Sequence, residues 1–102
     1  MSAYLIVDIN ITDVLGYQEY KDKVPDVHAL FGGNYLVRGG ATKVLEGDWH
    51  PNRLVVLEFP DMASLASWYD SPEYAALKEV RKNSAITRLI AVEGVRSATI
   101  GG

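Results

Sequence analysis

The apolar residues of this chain change their spacing in a fixed order, and that order limits the possible folds more than any other feature. Ala3 to Ile11 places one residue in two on a common apolar face, the period of a strand. Thr12 or Asp13 can then cap a helix. Apolar residues follow it three or four positions apart, which predicts that helix, and they are Tyr17, Tyr20, Val24, Val27 and Phe31.

Proline and glycine mark where this helix changes or ends. Pro25 lacks a backbone donor and crowds the carbonyl near Lys21, so the sequence predicts a bend or a restart there. Gly32 and Gly33 supply the left-handed conformation that commonly ends a helix.

The middle of the chain predicts a hairpin. Asn34–Glu46 has the pattern of a strand, interrupted by Gly39 and Gly40, where paired glycines indicate a bulge, a bend or close approach by another group. A turn-rich loop over residues 47–52 leads into an apolar strand, Arg53–Phe59. We expect these two strands to pair.

Two short helices and a last strand complete the chain. Asp61 caps the first helix, and Ser71-Pro72-Glu73 starts the second, which ends near Asn83. Ile86–Glu93 is the last predicted strand.

The predicted order is β-α-β-β-α-β, which is that of the split βαβ, or ferredoxin-like, fold. We therefore predict an α+β domain with a four-stranded antiparallel sheet. With 102 residues the chain has room for one core, so residues 1–95 form a single domain. The C-terminal tail, residues 96–102, is expected to be flexible or to contact a partner subunit.

The sheet of this fold has one face without helices, and here that face is too apolar for water. Arg53–Phe59 and the last strand carry apolar residues on both sides. Leaving several such side chains exposed costs about 1.5–3 kcal/mol each relative to burial. We expect a homodimer through the sheet face. The alternative is a monomer whose tail folds under the sheet.

Composition excludes several classes of function. The net charge of -3 and the scattered basic residues argue against a nucleic-acid partner, and Lys78, Arg81 and Lys82 fit the solvated side of a helix. The chain has no cysteine, which excludes thiolate chemistry and fits a reducing compartment. The first residues do not have the pattern of a signal peptide, so none is expected, and no apolar run is long enough for a membrane span. A cytoplasmic protein is the expectation.

Several separated motifs resemble a known family in the same order. They are Leu36-Val37-Arg38-Gly39-Gly40, Leu45-Glu46-Gly47-Asp48-Trp49, Arg53 to Pro60, Trp68 to Tyr74, and Val92-Glu93-Gly94. The chain resembles the domain-of-unknown-function 1330 family over roughly Ala3 to Val95. That family is assigned to the dimeric α/β barrel superfamily, with cofactor-free quinone-forming monooxygenases, muconolactone isomerase and haem-dependent chlorite dismutase-like enzymes. The resemblance implies the fold and the dimer, and it transfers no activity.

The two histidines are the first candidates for chemistry. His28 lies beside Val27, offset from the apolar stripe, and could act as a base at the edge of a helix–sheet cleft. The alternative, an exposed or boundary histidine, is favoured. His50 is expected to be a turn residue. Two separated histidines give little support to a metal or haem site, so no cofactor is expected.

Arg38 is the second candidate, since an arginine beside two glycines could clamp a carboxylate or an enolate. Alternatively, it pairs within the sheet or across the dimer with an acid such as Asp8 or Glu58, which interrupt apolar strands and need partners. These three residues are predicted to form either a structural charge network or part of a ligand site.

Aromatic residues, Trp68 and Tyr69 among them, are expected to gather on the helix side of the sheet. They could stack on a planar ligand, although plain core packing is the favoured interpretation. Two functions remain open. One is a cofactor-independent enzyme, of the monooxygenase or isomerase type, acting on a small aromatic or enolisable acid. The other is a non-catalytic dimeric module that binds a small metabolite or serves as a scaffold.

Overall fold

The structure is a computed structural model, and it describes residues 1–95. Its elements are β1 Ala3–Ile11, α1 Val14–Leu30, β2 Asn34–Arg38, β3 Arg53–Phe59, α2 Met62–Tyr69, α3 Pro72–Ser84 and β4 Ala85–Glu93. This order confirms the predicted α+β, ferredoxin-like fold. The predicted tail, residues 96–102, lies outside the described residues, and the single domain over 1–95 stays a prediction.

The four strands form one antiparallel sheet in the order β2-β3-β1-β4. In the centre of the sheet, Leu5 of β1 lies opposite Leu57 of β3 and Ala91 of β4. The neighbouring position, Ile6, lies opposite Val56 and Ile90. Because successive side chains of a strand point to opposite faces, these two rows belong to different faces of the sheet.

The helices begin where short polar side chains satisfy their first amides. Asp13, Asp61 and Ser71 each accept a hydrogen bond from the backbone N–H three residues later, at the start of α1, α2 and α3. Gly32, with φ of 78°, follows the end of α1. These local signals were all predicted.

Two features of the backbone differ from the prediction. The helix does not restart at Pro25, because α1 is continuous from Val14 to Leu30. The strand predicted over Asn34–Glu46 ends at Arg38, and a long connection over residues 39–52 reaches β3. The hairpin of β2 and β3 is confirmed, but its register shift falls between Tyr35 and Val37 rather than at the glycines.

The core lies between the inner face of the sheet and the three helices. β1 contributes every second residue to it, and the largest fully buried side chains are Trp68, Tyr74 and Phe59. The other side of the sheet, which we call the open face, carries Ile6, Val56, Ile86, Ile90 and Val92. Of these, Ile86 and Ile90 are 66% and 62% exposed.

None of the helices within residues 1–95 has the length and apolar character needed to cross a membrane. The cytoplasmic location stays a prediction.

Candidate functional site

A small cavity lies between α1 and the inner face of the sheet, and we call it the helix–sheet cavity. Its volume is about 30 Å³, enough for about two water molecules. α1 lines it with Tyr17, Tyr20, Val24 and His28, which lie three or four residues apart and so share one side of the helix. The backbone of α1 lies closer to α3 than to the strands. The space between α1 and the sheet is therefore filled by long side chains.

His28 is a buried member of this lining, only 3% exposed. Its ring centroid lies 4.9 Å from that of Trp68 and 5.3 Å from that of Tyr35. Among residues 1–95, no group forms a hydrogen bond with its Nδ1. Burial, together with the positive charge of Arg38, lowers the pKa of His28 from 6.5 to about 4, so its imidazole is neutral at pH 7. The favoured expectation of an exposed or boundary histidine was wrong.

Arg38 lies at the mouth of the same cavity. Its Nη2 donates a hydrogen bond of 2.8 Å to the carbonyl of Lys21, and its Cζ lies 4.6 Å from the centre of the Tyr35 ring. The Lys21 carbonyl is the one that residue 25 would normally bond in a helix. Because Pro25 has no N–H, that carbonyl is free to accept from Arg38.

Asp8 and Glu58 lie on the open face, on the other side of the sheet from the helix–sheet cavity. Asp8 accepts hydrogen bonds of 3.0 Å from Trp49 Nε1 and from the Asn52 amide. Glu58 accepts one of 3.3 Å from the Tyr4 hydroxyl. Neither acid pairs with Arg38 within residues 1–95. The charge network expected within the subunit is therefore not formed there, and ligand binding by Asp8 and Glu58 stays a prediction.

Gly39 makes room for a side chain of the protein. Its φ is 70°, and a Cβ built on it would lie 2.8 Å from Cζ of Arg53. The guanidinium of Arg53 thus lies against the backbone at Gly39 and points into the cavity lining. Nothing lies within 4 Å of the same position on Gly40.

Arg81 is the functional candidate that the sequence reasoning missed. It was expected on the solvated side of its helix, but it is 3% exposed and lines the cavity. Its Nε and Nη1 have no hydrogen-bond partner among residues 1–95. Tyr74, Leu77, Arg81 and Ser84 are the buried residues of α3. Their spacing of three or four is the signal that could have found Arg81.

The aromatic residues are packed closely, as expected. Trp68 is 1% exposed, its ring centroid lies 4.3 Å from that of Tyr74, and its Nε1 lacks a partner within the described part of the chain. The hydroxyls of Tyr20 and Tyr74 lie 2.7 Å apart. Tyr69 lies beside this group, with the Lys78 ammonium 3.7 Å from its ring centre. Ligand binding by Trp68 and Tyr69 stays a prediction.

His50 is exposed in the connection between β2 and β3. Over residues 1–95, no three side chains of the metal-binding types cluster closely enough to hold an ion.

Residues 2–95 match the protein family described as Domain of unknown function (DUF1330). The chain belongs to the DUF1330 family. The resemblance seen in the sequence motifs is thereby confirmed at the level of the family. No curated protein matches the chain significantly.

Solved structures share the fold of this DUF1330 protein at low sequence identity. A protein of unknown function from Rhodopseudomonas palustris, RPA0582, has a TM-score of 0.75 and 18% identity, covering 93% of this chain and 83% of its own. A dimeric ferredoxin-like protein of unknown function from Jannaschia sp. CCS1 has a TM-score of 0.64 and 13% identity, covering 92% of this chain and 100% of its own. SnoaB, a cofactor-independent oxygenase from Streptomyces nogalater, has a TM-score of 0.65 and 7% identity, covering 95% of this chain and 96% of its own. These likenesses concern the fold alone.

Proposed function

We propose that this DUF1330 protein is a dimeric, cofactor-independent enzyme that binds a small aromatic or enolisable acid in the helix–sheet cavity. One observation carries the proposal. Around one cavity, three side chains bury polar atoms that have no hydrogen-bond partner among residues 1–95. These atoms are Nδ1 of His28, Nε1 of Trp68, and Nε and Nη1 of Arg81. Unpartnered buried polar groups are costly in a native structure and concentrate at functional sites.

Arg38 is the group that would hold the carboxylate of the ligand at the cavity mouth. Its guanidinium is anchored on the Lys21 carbonyl and on the Tyr35 ring, so its orientation is fixed before a ligand arrives. A carboxylate placed there would offset the positive charge that acts on His28. Burial, the larger cause of the lowered pKa of His28, would remain, and the pKa would rise from about 4 by the part that Arg38 contributes.

With its basicity raised in this way, His28 could accept a proton from the carbon next to the carbonyl of the acid. The guanidinium stabilises the enolate that forms, and return of the proton to another carbon completes an isomerisation. The same enolate can react with O2, which converts a CH2 group to C=O and releases water. The second outcome is the chemistry of a cofactor-independent oxygenase, the description that SnoaB carries.

The dimer belongs to this proposal, with a second copy of the chain covering the open face. Ile86, Ile90 and Val92 are exposed on that face. Burying such side chains stabilises by about 1.5–3 kcal/mol each. The structural neighbour from Jannaschia is described as dimeric, which supports the same assembly here.

A non-catalytic module is the second candidate, and the size of the cavity favours it. A volume of about 30 Å³ holds water but no aromatic ring. Trp68 and Tyr74 fill the space beside it. An enzyme of the proposed type must therefore widen the cavity to admit its substrate, whereas a scaffold need not.

Native mass spectrometry of protein purified without refolding tests the proposal. We expect a co-purified organic acid in the wild-type protein and its loss from Arg38→Gln and His28→Gln. Arg88→Gln is the matched control, because Arg88 lies on the opposite side of the sheet, near Asp8. A ligand-free wild-type protein that also binds no aromatic or enolisable acid added to it would favour the non-catalytic module.

A further inference from the structure

The charges around the helix–sheet cavity all have one sign. Its ionisable lining includes Lys21, Arg38, Arg53 and Arg81, and no aspartate or glutamate from residues 1–95 takes part. The one ion pair within those residues, between Lys23 and Glu19, lies on the exposed side of α1. The cavity therefore gathers four cations without a carboxylate to offset them.

The tyrosines around Arg81 do not offset its charge either. Tyr17, Tyr20 and Tyr74 are the titratable side chains near its guanidinium. Burial raises the pKa of each above its usual value of 10, so all three are neutral at pH 7. A buried guanidinium without an anionic partner is strongly unfavourable, which means that Arg81 lacks the group that would stabilise it.

The four cations differ in how deeply they are buried. Arg81 is 3% exposed, so it lies at the inner end, whereas Arg53 is half-buried, with a buried Nε that has no partner within residues 1–95. Arg38 is exposed and Lys21 is half-buried, so these two are at the mouth. Tyr17 lies within reach of the charges of all three arginines.

We propose that the ligand of this cavity is a dianion, with one acidic group on Arg81 at the inner end and the other on Arg38 and Lys21 at the mouth. The inference rests on the proposed function and narrows its substrate class from an acid to a compound with two acidic groups, such as a dicarboxylate. A guanidinium binds carboxylates through charged N–H donors, and two of the Arg81 nitrogens, Nε and Nη1, are buried without partners within residues 1–95.

Isothermal titration at constant ionic strength with matched probes tests the charge of the ligand. Malonate, succinate and glutarate supply two carboxylates at increasing separation, and their monomethyl esters supply the same chain with one. We expect at least one dicarboxylate to bind about tenfold or more tightly than its ester. Equal affinity for every acid and its ester, or no binding by any probe, would overturn the inference.

Variants assign the inner group to Arg81. Arg81→Met is expected to remove the preference for the dicarboxylate, while Lys82→Met, the same change at an exposed neighbour, keeps it. If the dianion is bound elsewhere, Arg81→Met leaves the preference intact, and the inference fails. If the Met variant does not fold, Arg81→Lys is used in its place, because it keeps the positive charge. An ammonium lacks the planar N–H donors of a guanidinium, so this variant should weaken the preference for the dicarboxylate over its ester.

Stability provides a second readout that separates ligand binding from a structural role. Because Arg81 is an uncompensated charge in the free protein, Arg81→Met should raise the midpoint of thermal unfolding by about 4 °C or more. A lower midpoint would mean that Arg81 has partners within the protein and would count against the site. If the esters bind as well as the diacids and Arg38→Gln abolishes both, the dianion is excluded while the proposed function survives.

Discussion

His28 couples the stability of the protein to pH through the burial of a single ring. Its pKa is about 4 in the folded protein and 6.5 in an exposed histidine. As the pH falls below about 6.5, the unfolded chain takes up a proton at His28 and the folded protein does not. This contribution is fully present above pH 6.5 and declines toward pH 4. We expect it to remove about 2–3 kcal/mol of unfolding free energy at pH 4.5 relative to pH 7.

Urea unfolding of wild type and His28→Phe at the two pH values measures this effect. The phenyl ring keeps aromatic packing on Trp68 and does not titrate, so the wild type should lose about 2–3 kcal/mol more than the variant between pH 7 and pH 4.5. His50→Gln, in the exposed connection, should behave like wild type. Equal losses in wild type and His28→Phe would contradict a buried, neutral His28.

The same residue scale shows where reading the sequence succeeded and failed. His28 and Arg81 both lie on the buried sides of their helices at regular spacing from buried aromatic or aliphatic residues. Their polar type nevertheless favoured an exposed or boundary position for His28 and a solvated one for Arg81. Residue type gives the usual environment, and a functional site is where the usual environment is violated. Spacing was the better guide at both positions.

The end of β2 offers a matched pair of glycines that tests how the cavity lining is supported. Gly39 has a φ of 70° and faces the Arg53 guanidinium, whereas Gly40 has open space at its Cβ position. Gly39→Ala should destabilise the protein by about 1–2 kcal/mol through backbone strain and displacement of Arg53. Gly40→Ala should stay within about 0.5 kcal/mol of wild type. Thermal or urea unfolding compares them, and similar effects of the two substitutions would contradict the role given to Gly39.

Elements were predictable where their signals are local. Asp13, Asp61 and Ser71 cap helices through bonds that reach only three residues along the chain. The effect of Pro25 is different, because the carbonyl that it leaves free is taken by Arg38 on β2. That partner is distant in sequence, so the pattern predicted a bend or restart, while the structure uses the free carbonyl to hold an arginine.

For the whole molecule, the order of the spacing patterns was enough to predict the fold. The strands with apolar residues on both sides were enough to predict an apolar open face. The helix–sheet cavity was beyond the sequence, because its volume depends on how far α1 stands from the sheet. The group of cations was equally hidden, since Arg38, Arg53 and Arg81 come from different elements and line one cavity only through tertiary packing.

The proposed assembly of two copies through the open face gives the last prediction. Light scattering after gel filtration should give about twice the chain mass of 11.2 kDa. Ile90 is 62% exposed in the single chain, so Ile90→Glu should leave the folded subunit intact. A carboxylate buried between two apolar faces is strongly unfavourable, so this variant should be monomeric at micromolar concentration.

Leu15→Glu is the matched control, since Leu15 is 86% exposed on α1, away from the open face, and its variant should remain a dimer. A dimeric Ile90→Glu protein would place the contact elsewhere. A monomeric wild type would instead mean that the open face is covered within one chain, as in the alternative where the tail folds under the sheet. With either result, no second sheet would cover the open face, and the helix–sheet cavity would have to function without one.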